Sequence, residues 1–357
     1  MLAASRGFAQ TPQPKPPTTL IPVLTRDTKV VHRWSLAGDP RGVAVGPDGT
    51  IYVGLAQPQA VVAIDPKTAT IKNQLVLDSV DIASTKELVT LRINRDGSRL
   101  YVANGSDESA TILSLPNLGV VREITMEGEA IRDAVPDPRG RYLYLLGRRI
   151  HVYDINGENE LKTLPFENPT AMAVASGGNA VAAFGSENFG NAAATVVALY
   201  ETESFKEVAR DPMQTDKRIE AALFAANDRA VVAISTDALF EKPLNATAPK
   251  TMASSSKGGP MRMTLDFGDL VNSERICTPA RFGPQIATVG ATSDLILFAE
   301  RRCSVSGTIF SGSDRRITPQ SLYGVDAYAV AFDAKTATLV VTERAGFVTI
   351  YKVPKRS

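Results

Sequence analysis

Residues 42–55 read GVAVGPDGTIYVGL, an apolar tetrapeptide, a Gly-Pro-Asp-Gly turn and a second apolar run. Proline presets one turn dihedral and glycine supplies the left-handed one, so the two runs are read as strands folded back on each other. The pattern recurs as TLRINRDGSRLYVAN at 90–104 and DAVPDPRGRYLYLLG at 133–147. Looser copies are AMAVASGGNAVAAF at 171–184, AALFAANDRAVVAI at 221–234, IATVGATSDLILFAE at 286–300 and AVAFDAKTATLVVTE at 329–343. Seven copies in one chain define an array, and the array has to be read before any single residue.

The better copies continue into two more strands. AVVAID (60–65) and TIKNQLVL (70–77) follow the first copy, split by a short polar turn. ATILSL (110–115) and VVREITM (120–126) follow the second, and RRIHVYDI (148–155) and ELKTLPF (160–166) the third. Four strands every ~40–50 residues predict a propeller blade, an antiparallel sheet that buries both faces only by stacking on its neighbours. The expected fold is all-β, a seven-bladed β-propeller over residues 29–354. The last copy supplies only a third strand, FVTIYKVP at 347–354, while KVVHRWSLA at 29–37 precedes the first and has the character of an outermost strand. The N-terminal strand is therefore expected to complete the last blade and close the ring.

YVAN at 101–104, VVAIDPKTATI at 61–71 and HVYDINGENELKTL at 151–164 resemble the YVTN-type, surface-layer-like seven-bladed propellers. Ala103 stands where the family pattern has threonine, and the first copy reads YVGL. The resemblance implies the fold and frequent export, with no single activity. Such propellers serve as cell-surface and periplasmic binding proteins, and similar ones as lactonases or as subunits of amine dehydrogenases.

Composition limits the partners. A formal net charge of +1 supplies no field to gather nucleic acid or an anionic membrane. No continuous apolar run reaches membrane-spanning length. Residues 1–28 begin MLAASRGFAQ and continue Pro-rich, which reads as the remnant of a secretory signal peptide and a linker; a plain tail is the other reading. The expected location is periplasmic or extracellular, or cytoplasmic if that start is not a signal. Export would let Cys277 and Cys303, the only cysteines, form a disulfide around the sixth copy.

The array breaks its own rule in two places. The fifth copy carries a Pro/Ser/Lys/Gly-rich insertion at 241–260, and the fourth an excess, GSENFGNAAAT, at 185–195. Both are expected as loops. The short basic tail, 355–357, is expected to fray.

Catalytic signatures are absent: there is no nucleophile elbow, phosphate-binding glycine loop, zinc-binding His-Glu pair or haem attachment motif. The two histidines, His32 and His151, fall on a fourth and a third strand, away from a channel lined by first strands. The acidic pairs Glu127/Glu129, Glu158/Glu160 and Glu201/Glu203 are read as solvated edge charges. No cofactor or metal is expected.

One constellation remains. Aligned on their turns, the copies place Arg41, Val89, Arg132, Thr170, Glu220, Gln285 and Tyr328 at equivalent positions before the first strands, with Glu87, Asp133 and Asp326 nearby. In a propeller these converge on one mouth of the channel. Arginines there either hold a carboxylate or phosphate ligand by forked hydrogen bonds or pair with acids to fasten blade to blade. The ligand-binding candidates are thus Arg41, Arg132, Asp133, Glu220, Gln285 and Tyr328. The function expected is an exported, non-enzymatic propeller binding a protein or a small polar or anionic ligand. The alternatives are a lactonase-type hydrolase of a sugar-derived ester and an accessory subunit of a periplasmic redox enzyme.

Overall fold

The computed structural model describes residues 21–22, 28–77, 89–104, 108–189, 192–213, 218–225, 228, 230–235, 238–247, 264–267, 271–275, 286–289, 294–299, 304–310, 318–323, 327–333 and 335–356. Every regular element among them is a β-strand. No helix among them is long and apolar enough to cross a membrane.

The strands form antiparallel sheets in chain order. The first sheet is Pro40–Val45, Ile51–Ala56, Gln59–Ile64 and Ile71–Val76. The second is Val89–Ile93, Arg99–Asn104, Ser109–Ser114 and Gly119–Thr125. The third is Asp133–Pro136, Tyr142–Leu146, Ile150–Asp154 and Glu160–Leu164. The fourth is Pro169–Val174, Ala180–Phe189, Ala192–Glu201 and Glu207–Pro212. A fifth holds Ile219–Ala225, Ala230–Ser235 and Ala238–Thr247, with Thr264–Phe267 and Val271–Arg275 both pairing the last of these. A sixth holds Ile286–Val289, Asp294–Ala299, Ser304–Phe310 and Thr318–Tyr323. The seventh joins Ala327–Asp333, Thr338–Glu343 and Phe347–Lys352 to Lys29–Ser35. First strands of successive sheets are neighbours, except that the fourth sheet's Pro169–Val174 meets the third through its second strand, Tyr142–Leu146, and Ala327–Asp333 returns to lie beside Pro40–Val45.

The second strands show why the sequence stacks this way. A strand alternates its side chains between two faces, and in Ile51–Ala56 both faces are buried. Ile51, Val53 and Leu55 pack with Ala329, Val340, Val348 and Ile350 of the seventh sheet. Tyr52, on the other face, packs with Leu91, Leu100 and Val102 of the second. The same split repeats one sheet on. Leu100 and Val102 face back, while Tyr101 and Ala103 meet Ile131, Ala134, Leu143 and Leu145 of the third. Continuous apolar runs such as TIYVGL are thus explained by a sheet sandwiched between sheets. Outermost strands read differently: Val30, Ile71, Val120, Leu161 and Val208 remain exposed.

Turn chemistry sets the register. The Asp48 carboxylate accepts from the Thr50 amide and hydroxyl at 3.0 and 2.7 Å, and Asp96 does the same for Ser98 at 2.8 and 2.6 Å. Those bonds from Ser98 hold the Asp96 carboxyl below the ordinary carboxylate range. The glycine after each aspartate has a left-handed backbone, φ +86° at Gly49 and +73° at Gly97. Around Gly49 the space for a Cβ is open, so Gly49→Ala isolates the backbone cost. It should destabilise by about 1–2 kcal/mol, read as a lower denaturant midpoint with an unchanged slope.

Three expectations for loops and tails change. Within the excess at 185–195, residues 185–189 and 192–195 extend the second and third strands of the fourth sheet, paired from Gly185↔Val196 out to Phe189↔Ala192. Residues 241–247 of the insertion are strand too, continuing to Thr247 and pairing Leu244↔Phe267 through Thr247↔Thr264. The tail is tied down: Lys355–Arg356 pairs with Ile21–Pro22. In the two extended hairpins the ladder itself satisfies the backbone, so strand persists where no apolar pattern marks it.

Candidate functional site at the head of the first strands

In an antiparallel four-strand meander, the start of the first strand and the hairpin between the second and third lie at the same end. That end collects the aligned positions. In four sheets the aligned residue is the extra residue of a β-bulge. Register shifts fall between Pro40 and Gly42, Pro169 and Ala171, Ile219 and Ala221, and Ala327 and Ala329. Arg41, Thr170, Glu220 and Tyr328 are the residues skipped. A bulge leaves its extra residue out of the ladder and re-aims its side chain. These four copies therefore redirect a side chain at the head of the first strand, and each fills that position with a different chemistry.

The structure separates these residues into groups. Arg41 donates from Nε and Nη2 to Asp39 at 2.9 and 2.6 Å, and its guanidinium lies 4.1 Å over the Tyr328 ring. Arg344 covers the same ring at 4.4 Å. Arg41 and Tyr328 thus join the first and seventh sheets, aided by Thr342 Oγ1 donating to the Arg41 carbonyl at 3.0 Å. Asp133 receives Arg92 of the second sheet through both oxygens, at 3.2 and 2.8 Å. The Asp133 charge raises the Arg92 pKa against burial. These contacts tie the first sheet to the seventh and the second to the third. Gln285, Cys277, Cys303, Glu87 and Asp326 lie outside the described residues.

Arg132 is different. Its Nη2 donates to the carbonyls of Gly147, at 2.5 Å, and of Pro169. That locks the guanidinium between the third and fourth sheets without a carboxylate on it. It lines a cleft of about 510 Å3 together with Arg148, Arg218, Asn168, Thr170 and Glu108. Burial lowers the Arg132 pKa, and the like charge of Arg218 lowers it further, with Glu220 and Glu129 opposing. Arg218 lies 3.4 Å from Glu220, whose carboxyl is only 14% exposed. Burial pushes the Glu220 pKa up, and Arg218 and Arg132 hold it back. The alignment thus brings Arg132, Thr170 and Glu220 into one region, and Arg41 and Tyr328 into another.

A carboxyl whose pKa is raised on folding stabilises the fold below its unfolded pKa and loses that contribution as pH rises through the folded value. Glu220 therefore weakens the fold at neutral pH. Glu220→Gln is expected to raise the melting temperature at pH 7, with the gain vanishing by about pH 4. An equal shift at both pH values would show that charge is not the cause.

Arg148 and Arg218 were not among the aligned positions. Arg148 sits in the hairpin turn of the third sheet, where the Asn168 amide donates to its carbonyl at 2.9 Å. Arg218 enters just before Ile219–Ala225. The signal for the first was the charged pair at 148–149 inside a hairpin.

The histidines lie where the repeat puts them, His32 on an outermost strand and His151 on a third strand. His151 is held between two acids, Nδ1 at 2.9 Å from Glu160 and Nε2 at 3.4 Å from Glu129. Glu129, half-buried beside His151, is thus not a solvated edge charge, while Glu160 stays exposed at the sheet edge and bonds the imidazole from there. Room for Glu129 depends on Gly147, where a Cβ would fall 2.2 Å from its Oε1.

No protein-family model matches the sequence, and no curated protein does either. Solved structures do. The β-propeller domain of Cps50 (Swd1) from Myceliophteria thermophila superposes with a TM-score of 0.65 at 14% identity, over 92% of this chain and 100% of that one. The fold is a β-propeller. Hydrazine synthase of Kuenenia stuttgartiensis is also similar, with a TM-score of 0.63 at 11% identity, over 90% of this chain and 97% of that one. Identities this low establish the fold alone.

Proposed function

We propose that this chain is an exported, non-enzymatic β-propeller of seven blades, similar to the YVTN type, that binds a ligand or partner at the channel mouth formed by the starts of its first strands. The site lies over the third to fifth sheets. The observation that carries this reading is Arg132, fixed by two backbone carbonyls in a cleft of about 510 Å3 and carrying no carboxylate partner among the described residues. Arginines with a structural task, such as Arg41 and Arg92, sit on acids. A volume of that size lies within the range of small-ligand sites, ~300–1,000 Å3.

The test is retention. Native mass spectrometry of the chain from its own host, and of Thr170→Trp, which fills the cleft, should show an adduct or partner in the first and none in the second. Identical spectra would sink the reading. Turnover of a lactone or ester that disappears in Arg132→Ala would overturn the non-enzymatic part. Recovery of the chain solely from the cytosolic fraction would overturn export.

A further inference from the structure

We infer that the cleft at Arg132 is an oxyanion site, built to take a small ligand through a carboxylate or phosphate group. The inference rests on the reading of this mouth as a binding site and names what binds there. Arg132, Arg148 and Arg218 all line one cleft, and among the described residues Glu108 is the only acid that lines it. Arg132 and Arg148 come from the third sheet, just before its first strand and in its hairpin turn, and Arg218 enters just before the fifth, so their convergence is a product of sheet stacking and not of one local segment.

The three have different tasks. Arg132 is the fixed member. Both hydrogens of its Nη2 are spent on the Gly147 and Pro169 carbonyls, which leaves Nε–H and Nη1–H without a bond to any described residue. A donor held in place before the ligand arrives loses little entropy on binding. Arg148 enters no ion pair with a described residue and supplies a second fork. Arg218 is half-exposed and partly answered by Glu220, so it tunes the field more than it holds the ligand. Asn168 adds neutral donors on the same rim, with its backbone held by the Arg148 carbonyl. Like charge from Arg218 and the loss of water both work against a charged Arg132, and an oxyanion between them answers both.

Cations with a structural role elsewhere support the contrast. On the opposite end of the sheets Arg139 and Arg141 are answered by Glu203, and Arg141 also by Asp137. The cluster around the cleft is where arginine outnumbers the acids that touch it.

The probes are inorganic phosphate, citrate and acetate, titrated by calorimetry into the full chain at low ionic strength, with chloride as the control. Saturable binding of phosphate, or of the carboxylates, is expected, and the stronger series identifies which oxyanion the site takes. Affinity should fall at least ~10-fold in Arg148→Gln, which removes no internal bond, and further in Arg132→Gln. Arg99→Gln, at the far end of the second sheet, should leave it unchanged. Absence of saturable binding by every probe overturns the inference, as does binding that survives both Arg148→Gln and Arg132→Gln. If no probe binds while Thr170→Trp still removes a retained adduct, the mouth binds and the oxyanion assignment fails. If Thr170→Trp changes nothing and no probe binds, both readings fail together.

Discussion

A chain lacking residues 1–36 is expected to lose its cooperative thermal transition. Lys29–Ser35 pairs with Phe347–Lys352 from Lys29↔Lys352 to Ser35↔Phe347, so the beginning and end of the chain share one sheet. Arg33 reaches Glu343 at 2.8 Å and lies 4.1 Å over the Phe347 ring, and the Leu36 amide donates to the Gly346 carbonyl at 2.9 Å. Leu36 is buried and Trp34 packs beside it on the core shared by the seventh and first sheets. Each such side chain contributes about 1.5–3 kcal/mol on burial. Losing both, together with a full strand ladder, is of the order of a typical domain's entire stability, about 5–15 kcal/mol. The Phe347–Lys352 edge would also be left open to pair with other chains. Differential scanning calorimetry with size-exclusion chromatography reads both effects. Val30→Ser, an exposed change on the same strand, should do nothing. A truncated chain that melts as the intact one does would show that strand pairing between the ends does not hold the ring.

That closure was legible in the sequence because it is a matter of counting: the last copy lacks a fourth strand and the first has one to spare. Turns and second strands were legible for a similar reason. Asp-Gly chemistry and an apolar run at both parities each report a strong local constraint, a left-handed backbone and burial on two faces. The hairpin at 185–195 was not, because strands that extend past the body have no neighbouring sheet to impose an apolar face, and their sequence stays polar. The bulges were hidden as well. Nothing in Arg41, Thr170, Glu220 and Tyr328 as residue types signals a register shift. Only aligning the copies placed them together, and the alignment could not separate the arginine that fastens sheets from the one that lines a cleft. That distinction depends on Asp39 standing beside Arg41 and two carbonyls beside Arg132.

Arginine also fastens sheet to sheet at the far end, and there a single substitution should have its largest effect. Asp137 lies in the first turn of the third sheet and its side chain is fully buried. It accepts from Arg141 Nε at 2.8 Å and from the Arg141 amide at 3.2 Å. Arg141 in turn crosses to the fourth sheet, donating to the Gly178 carbonyl at 2.6 Å, to Thr202 Oγ1 at 3.2 Å and to Glu203. Burial opposes the charge, yet the bonds to Asp137 and Glu203 raise the Arg141 pKa. Gly178 makes the approach possible, since a Cβ there would sit 2.5 Å from Asp137 Oδ1. Removing one partner of such a pair strands the other, which costs more than the pair itself contributes. Asp137→Ala should therefore destabilise by about 3 kcal/mol, near the lower bound for a buried pair because Arg141 keeps Glu203 at the surface. Asp137→Asn retains an acceptor oxygen and should fall between the two. Urea melts of the three proteins test the order. If Asp137→Ala has the midpoint of the intact chain, the turn is held by its backbone alone and the arginine bridge between the sheets is incidental.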